Sequence, residues 1–148
     1  MSARSLRHVG IVVTDADRAL RFYRDQLGLR VEVDQVEEGE FIDSILAAPK
    51  TSVRTVKLSA TEGETLVELL EFAGGGSPVA LEDVARLGPT HVALTVRELD
   101  ALHTRLSAAG VRFLSAPKIA PDGRARVAFC ADPDGALLEL VEPLGAPG

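Results

Sequence analysis

An internal repeat constrains this chain more than any other feature of its sequence. One half opens on His8-Val9-Gly10-Ile11-Val12-Val13, and the other on His91-Val92-Ala93-Leu94-Thr95-Val96. Each opening leads into an amphipathic stretch that ends on a glycine, in Gln26-Leu27-Gly28-Leu29 and in Ala108-Ala109-Gly110-Val111. Each half then closes on an apolar run carrying carboxylates, Leu66-Val67-Glu68-Leu69-Leu70-Glu71 and Leu137-Leu138-Glu139-Leu140-Val141-Glu142. A pattern that recurs in this order describes one supersecondary block built twice.

The opening runs are short and β-branched and read as strands. Ala16, Leu20, Tyr23 and Leu27 give the next segment an apolar helical stripe; Leu99, Leu102, Leu106 and Ala109 do the same in the second half. Thr14 with Asp17, and Thr95 with Glu98, have capping-box spacing. Gly28 and Gly110 stand where a left-handed C-cap belongs. Three strands are expected after each helix, over 30–36, 52–59 and 64–72, and over 112–116, 126–130 and 136–141. Pro121-Asp122-Gly123 and Asp132-Pro133-Asp134-Gly135 supply tight turns between them. The expected fold is α+β, a single domain over 6–143 made of two βαβββ modules, 6–73 and 90–143, with a Gly/Pro-containing linker around 74–89. Sixty positions separate His8 from Glu68, but forty-eight separate His91 from Glu139. The surplus falls within 37–52 and is expected as a loop, either a lid or specificity element or a surface insertion without a role.

Composition narrows the function. Of 148 residues 46% are hydrophobic and 26% charged, enough apolar side chain for a packed core and too much for a disordered chain. A net charge of −6 argues against nucleic acid and anionic membranes as partners. A local basic pocket for a small anion stays open, with Arg54, Arg124 and Arg126 as candidates beside the commoner role of surface charge. The single cysteine, Cys130, excludes an internal disulfide and a multi-thiolate zinc site and reads as a small core residue. No apolar run approaches the roughly 18 residues of a membrane span, and the first residues carry no leader-like apolar core. A cytoplasmic location is the expectation.

Strand alternation places the polar interruptions. His8 shares a face with Gly10 and Val12, and His91 with Ala93 and Thr95. Glu68 lies with Leu66, Leu70 and Phe72, and Glu139 with Leu137 and Val141. A carboxylate or imidazole in such a strand is costly unless paired or metal-bound. If each half curls into a concave sheet, the repeat brings all four to one cavity. Two neutral nitrogens and two anionic oxygens would then neutralise a divalent nickel, cobalt, zinc, iron or manganese ion and leave octahedral positions open for substrate. Singly, each residue is more often structural; the duplication is what raises the quartet. Glu71 and Glu142 fall on the opposite face. His103 is expected mid-helix and exposed. Glu40 and Asp43 are candidates for a second acid/base, against the commoner reading of solvated loop residues.

These residues resemble the vicinal oxygen chelate superfamily, which includes glyoxalase I, methylmalonyl-CoA epimerase, extradiol dioxygenases and fosfomycin- and bleomycin-resistance proteins. The resemblance runs over 6–143. It rests on the two openings, on Arg21-Phe22-Tyr23-Arg24-Asp25-Gln26-Leu27-Gly28-Leu29, on Val67-Glu68-Leu69-Leu70-Glu71, on Thr90-His91-Val92-Ala93, and on Asp132-Pro133-Asp134-Gly135 leading into Leu138-Glu139-Leu140. It implies paired modules in an open, cup-shaped mixed sheet around one divalent metal ion, with ligands at His8, Glu68, His91 and Glu139. It also implies proton transfer next to a carbonyl, as in a glyoxalase I-like lyase or isomerase or an acyl-CoA epimerase, with Glu139 or Glu68 as general base. The implied partners are a small-molecule substrate, anionic or a thioester, and a second copy in a homodimer. Two alternatives accompany this reading: a non-enzymatic, resistance-type binding protein, and an extradiol-type dioxygenase, against which a fourth ligand counts. The segment Phe41-Ile42-Asp43-Ser44-Ile45-Leu46 departs from compact glyoxalase I.

Overall fold

The computed structural model describes residues 5–77, 88–89 and 91–145. Most of the linker expected over 74–89 lies outside the described residues, as does Thr90. The chain divides into two compact units, Met1–Ser77 and Pro78–Gly148. Each carries one four-stranded mixed sheet and realises the βαβββ order.

In the first unit, β1 (His8–Val12) leads into α1 (Ala16–Leu20), whose axis continues through wider π-helical turns over Arg21–Gln26. Then come β2 (Arg30–Glu38), α2 (Glu40–Leu46), β3 (Ser52–Ser59) and β4 (Leu66–Phe72). The strand order is β1-β4-β3-β2, with β1 parallel to β4 and the other pairs antiparallel. Ala16, Ala19, Leu20, Phe22 and Tyr23 are buried, as are Val56, Leu58, Val67 and Leu69 of the sheet. Fully burying a leucine such as Leu58 or Leu69 contributes roughly 1.5–3 kcal/mol. The π turn is defined by the Leu27 N–H donating to the Phe22 carbonyl at 2.9 Å. Gly28, at φ 80°, closes the segment as expected, and the Leu29 N–H returns to the Tyr23 carbonyl at 3.0 Å.

In the second unit, β5 (His91–Thr95), α3 (Leu99–Ala108), β6 (Lys118–Ile119), β7 (Ala125–Ala131) and β8 (Leu137–Pro143) form a sheet in the order β5-β8-β7-β6. Its core holds Leu99, Leu106, Ala128, Cys130, Leu138 and Leu140. Gly110, at φ 88°, ends α3, and the Val111 N–H reaches the Leu106 carbonyl at 3.0 Å.

Three expectations are corrected. The strand expected over 112–116 is a single bridge, Phe113 to Cys130, and regular pairing resumes only at β6. Pro117 lies between the two and has no N–H for the ladder. The loop expected within 37–52 contains the helix α2. The helix caps also differ. The Asp15 carboxylate, not Thr14, accepts the Arg18 N–H at 2.9 Å, and Thr14 instead accepts from the Arg18 guanidinium at 3.0 Å. Thr95 belongs to β5, and α3 starts from Glu98 with no side-chain cap of its own.

The missing caps come from the sheets. Glu71 on β4 accepts the Ala16 N–H at 2.9 Å, and Glu142 on β8 accepts the Glu98 and Leu99 N–H groups at 3.0 and 3.3 Å. A carboxylate on the otherwise unsatisfied N–H groups of a helix start is worth about 1 kcal/mol. Arg54 on β3 bridges to Asp17 on α1 at 2.9 Å, and Arg126 on β7 bridges to Asp100 on α3 at 3.0 Å. The two units therefore bolt their helices to one face of the sheet by the same residue types at repeat-equivalent positions. This leaves the other face of each sheet for His8, Glu68, His91 and Glu139.

Candidate functional site

On the face away from α1, His8 Nε2 lies 2.9 Å from Glu68 Oε2. The second unit repeats the pair, with His91 Nε2 3.2 Å from Glu139 Oε2. The register explains both. Gly10 stands directly opposite Glu68, and Ala93 opposite Glu139. With so little side chain beside each carboxylate, the imidazole two residues earlier reaches it diagonally. A Cβ added at Gly10 would meet Leu70 Cδ1 at 3.3 Å, so the position is close to full. The carboxylates are sunk, Glu68 with 12% and Glu139 with 25% of its side chain exposed, while the imidazoles stand on the open side at 39% and 37%. Each sheet thus presents one nitrogen and one carboxylate on one face. Among the described residues no three metal-ligating side chains gather at one point.

The register also brings in residues that the sequence did not single out. Lys57 on β3 lies directly opposite Glu68, its Nζ 3.8 Å from Oε1. The matching position opposite Glu139 is Phe129, whose ring meets His91 edge-to-face with centroids 5.2 Å apart. The fully buried Thr55 lies on the same face as Lys57 and donates to Glu37 at 2.9 Å, and Gln35 donates to the other Glu37 oxygen at 3.0 Å. No periodicity marks Lys57; only the pairing of β3 with β4 shows it.

Several candidates take structural roles. Arg54 clamps Asp34 through two hydrogen bonds at 2.9 and 2.8 Å besides holding Asp17, and this clamp holds the Asp34 carboxyl below its ordinary range. Arg126 is bound to Glu142 and Asp100. Neither guanidinium faces the side of Glu68 or Glu139, so neither holds a substrate tail there. Asp43 accepts the Lys50 and Thr51 N–H groups at 3.0 and 2.7 Å and closes the loop after α2. Glu40 lies in the first turn of α2. Glu71 and Glu142 lie on the helix-covered face, as alternation implies. His103 is half-buried rather than exposed, its ring 4.5 Å from that of Phe113. Cys130 is fully buried, and burial pushes its thiol up to about 12, with Asp132 adding to the shift.

A duplicated βαβββ unit with a His–Glu pair on the open face of each sheet matches one known architecture. Residues 5–140 match the model of the Glyoxalase/Bleomycin resistance protein/Dioxygenase superfamily, and the chain belongs to that superfamily. It is 35% identical over 141 residues to an ethylmalonyl-CoA/methylmalonyl-CoA epimerase of Cereibacter sphaeroides, with 91% of this chain and 95% of that protein covered. It is 31% identical over 149 residues to a lactoylglutathione lyase of Schizosaccharomyces pombe, covering 95% of this chain and 48% of the yeast protein, about half its length. The crystal structure of a glyoxalase family protein from Bacillus cereus superposes with a TM-score of 0.83 at 24% identity, covering 98% of this chain and 99% of that one, and shares the fold. No helix among the described residues is long and apolar enough to cross a membrane.

Proposed function

We propose that this chain is a metal-dependent isomerase that moves a proton on the carbon next to a carbonyl. In this reading His8, Glu68, His91 and Glu139 are the ligands of one divalent cation per chain. The observation that carries it is the duplicated pair. Two ligands bonded at about 2.1 Å and at a right angle lie about 3.0 Å apart. The two His–Glu pairs span 2.9 and 3.2 Å, and each sits on the face its helix leaves uncovered. When bound, a nickel, cobalt, zinc, iron or manganese ion would supply Lewis-acid stabilisation of the charge that develops on the substrate carbonyl oxygen.

The residues divide the remaining work. His8 and His91 contribute neutral nitrogens from the more exposed side of each pair. Lys57 already balances the charge of Glu68 across the ladder, which suits Glu68 to a fixed, anionic role. Glu139 lies opposite the uncharged Phe129, and we assign it the proton transfer at the carbon. The epimerase from Cereibacter sphaeroides matches end to end, which favours a thioester with an acidic α-hydrogen over a glutathione adduct as substrate. A homodimer and a cytoplasmic location belong to the same reading.

The test pairs elemental analysis with deuterium exchange. The purified chain is expected to hold about one divalent metal per chain, lost in both His8→Ala and Glu139→Ala. Incubated with methylmalonyl-CoA in D2O, the wild type should exchange the α-hydrogen and Glu139→Gln should not. Full exchange by Glu139→Gln overturns the base assignment, and a metal-free protein that takes up none of the five metals overturns the centre. A second reading, a protein that binds an apolar small molecule without turnover, is favoured by one observation. Ala93, Val127, Phe129 and Val141 surround the His91–Glu139 pair on its face of the sheet. That reading predicts ligand binding with no exchange in any variant.

A further inference from the structure

The two units hold their His–Glu pairs by different means. On the strand beside the glutamate the first unit has Lys57 and the second has Phe129, each directly opposite its glutamate. Lys57 reaches the carboxylate of its pair, with Nζ 3.8 Å from Glu68 Oε1. Phe129 reaches the imidazole of its pair instead. Its ring meets His91 edge-to-face, with centroids 5.2 Å apart and planes at 77°. Among the described residues, no aromatic ring lies against His8.

The topology of the second sheet gives this contact its meaning. His91 on β5 and Phe129 on β7 stand on the two strands that flank β8. Two strand spacings put those backbones about 10 Å apart. The rings therefore lean toward each other over β8, the strand that carries Glu139, and in this arrangement His91 Nε2 is 3.2 Å from Glu139 Oε2. The His91 side chain is 37% exposed, so solvent leaves it room to turn on its open side. An edge-to-face neighbour favours one orientation of the ring over the others. A nitrogen already aimed loses less conformational freedom when it binds than one that must first be oriented.

We propose that Phe129 is a positioning residue: its ring fixes the His91 imidazole with Nε2 beside the Glu139 carboxylate before any cation arrives, and so sets the metal affinity of the second unit's pair. This rests on the reading of His91 and Glu139 as metal ligands. Side chains behind a metal-binding histidine orient its ring, and losing one costs about 10- to 100-fold in metal affinity. The role requires an aromatic ring at position 129 and is not met by apolar volume alone. Tyrosine should therefore serve there, and leucine should not.

The test compares wild type, Phe129→Leu and Phe129→Tyr by two measurements. The first is carbon-13 relaxation of the imidazole rings in the chelator-treated chain, with the His91 signal identified by its loss in His91→Ala. The second is cobalt(II) binding by calorimetry. Phe129→Leu should loosen the His91 ring, leave His8 and His103 as they are in wild type, and weaken cobalt binding by about ten-fold or more. Phe129→Tyr should match wild type in both. A His91 ring as ordered in Phe129→Leu as in wild type overturns the proposal, and so does unchanged cobalt affinity in that variant. Loosening of all three histidines together also overturns it, because that marks a disturbed fold and not a released ring. The relaxation measurement needs no metal. A wild type that takes up none therefore refutes the proposed centre, while His91 in the metal-free chain still decides whether Phe129 holds the ring.

Discussion

Replacing Glu142 with Gln tests whether the face behind the site is held as described. The Glu142 side chain is 16% exposed and carries three contacts, with Arg126 at 3.0 Å and with the Glu98 and Leu99 N–H groups. Glutamine keeps one acceptor oxygen and points an amide donor at the second N–H group. It also removes the negative charge at the start of α3 and the charge on the bond from Arg126. The dipole contribution is about 0.5 kcal/mol and the charged hydrogen bond about 1–2 kcal/mol, so the variant should lose about 2 kcal/mol. Glu71 occupies the repeat-equivalent position but accepts a single N–H, that of Ala16. Glutamine can still accept it, so Glu71→Gln should cost only about 0.5 kcal/mol, the dipole contribution. For a chain of this size each kcal/mol lowers Tm by roughly 2–4 °C. Thermal melts followed by far-ultraviolet circular dichroism should therefore drop by about 4–8 °C for Glu142→Gln and about 1–2 °C for Glu71→Gln. Adding Arg126→Met to Glu142→Gln should cost less than Arg126→Met alone, since the partner is already lost. Equal melting shifts for the two glutamates, or a larger one at Glu71, would falsify the reasoning.

Other outcomes are equally specific. Arg54 holds the Asp34 carboxyl below its ordinary value, so the pair stabilises the fold fully above about pH 4 and progressively less as the pH falls through the lowered value. The stability gap between wild type and Arg54→Met should accordingly narrow in urea titrations below that pH. The Cys130 thiol, buried and raised to about 12, should resist Ellman's reagent in the native chain at pH 8 and react once in urea; rapid native labelling would refute its burial. Leu140→Ala and Leu58→Ala, both at fully buried positions, should each cost about 2–5 kcal/mol in denaturant melts. Phe41 on α2 is 76% exposed, and Phe41→Ser should move the melt by less than about 0.5 kcal/mol.

The duplicated openings and closing runs make the βαβββ order legible, and they single out His8, Glu68, His91 and Glu139, which the sheets pair as His8–Glu68 and His91–Glu139, because both depend on local pattern: period-two alternation and a polar residue interrupting it. Lys57 was not legible, since its place beside Glu68 follows from antiparallel register, and a slip of one residue would move it to the helix side. The same limit hid the roles of Arg54 and Arg126, whose partners lie on other elements. The strand expected over 112–116 failed because Phe113 and Leu114 have strand character, while the Ser115-Ala116-Pro117 break acts through a missing N–H. Thr14 looked like a cap by spacing, yet Asp15, one residue later, and Glu71, from another strand, bind the N–H groups. The helix α2 does carry a signal, Phe41 with Ile45 and Ile42 with Leu46 at helical spacing, but the other half has no counterpart to this segment, so the repeat points to a loop there; Phe41, Ile45 and Leu46 are exposed.

The π-helical turns of the first unit give the repeat a record of its own length. Twenty positions separate His8 from Gly28, whereas nineteen separate His91 from Gly110. Both glycines nevertheless end their helices in the left-handed conformation, at φ 80° and 88°. The extra residue is taken up inside the segment Arg21–Gln26, where the helix widens and bonds five residues back. Neither the cap nor the strand that follows has to shift. An inserted residue in a strand would have exchanged the two faces of the sheet; in a helix it costs one wider turn. Deleting one exposed residue there, Arg24 for instance, should restore ordinary α-helical bonding and leave Leu29 and β2 in register.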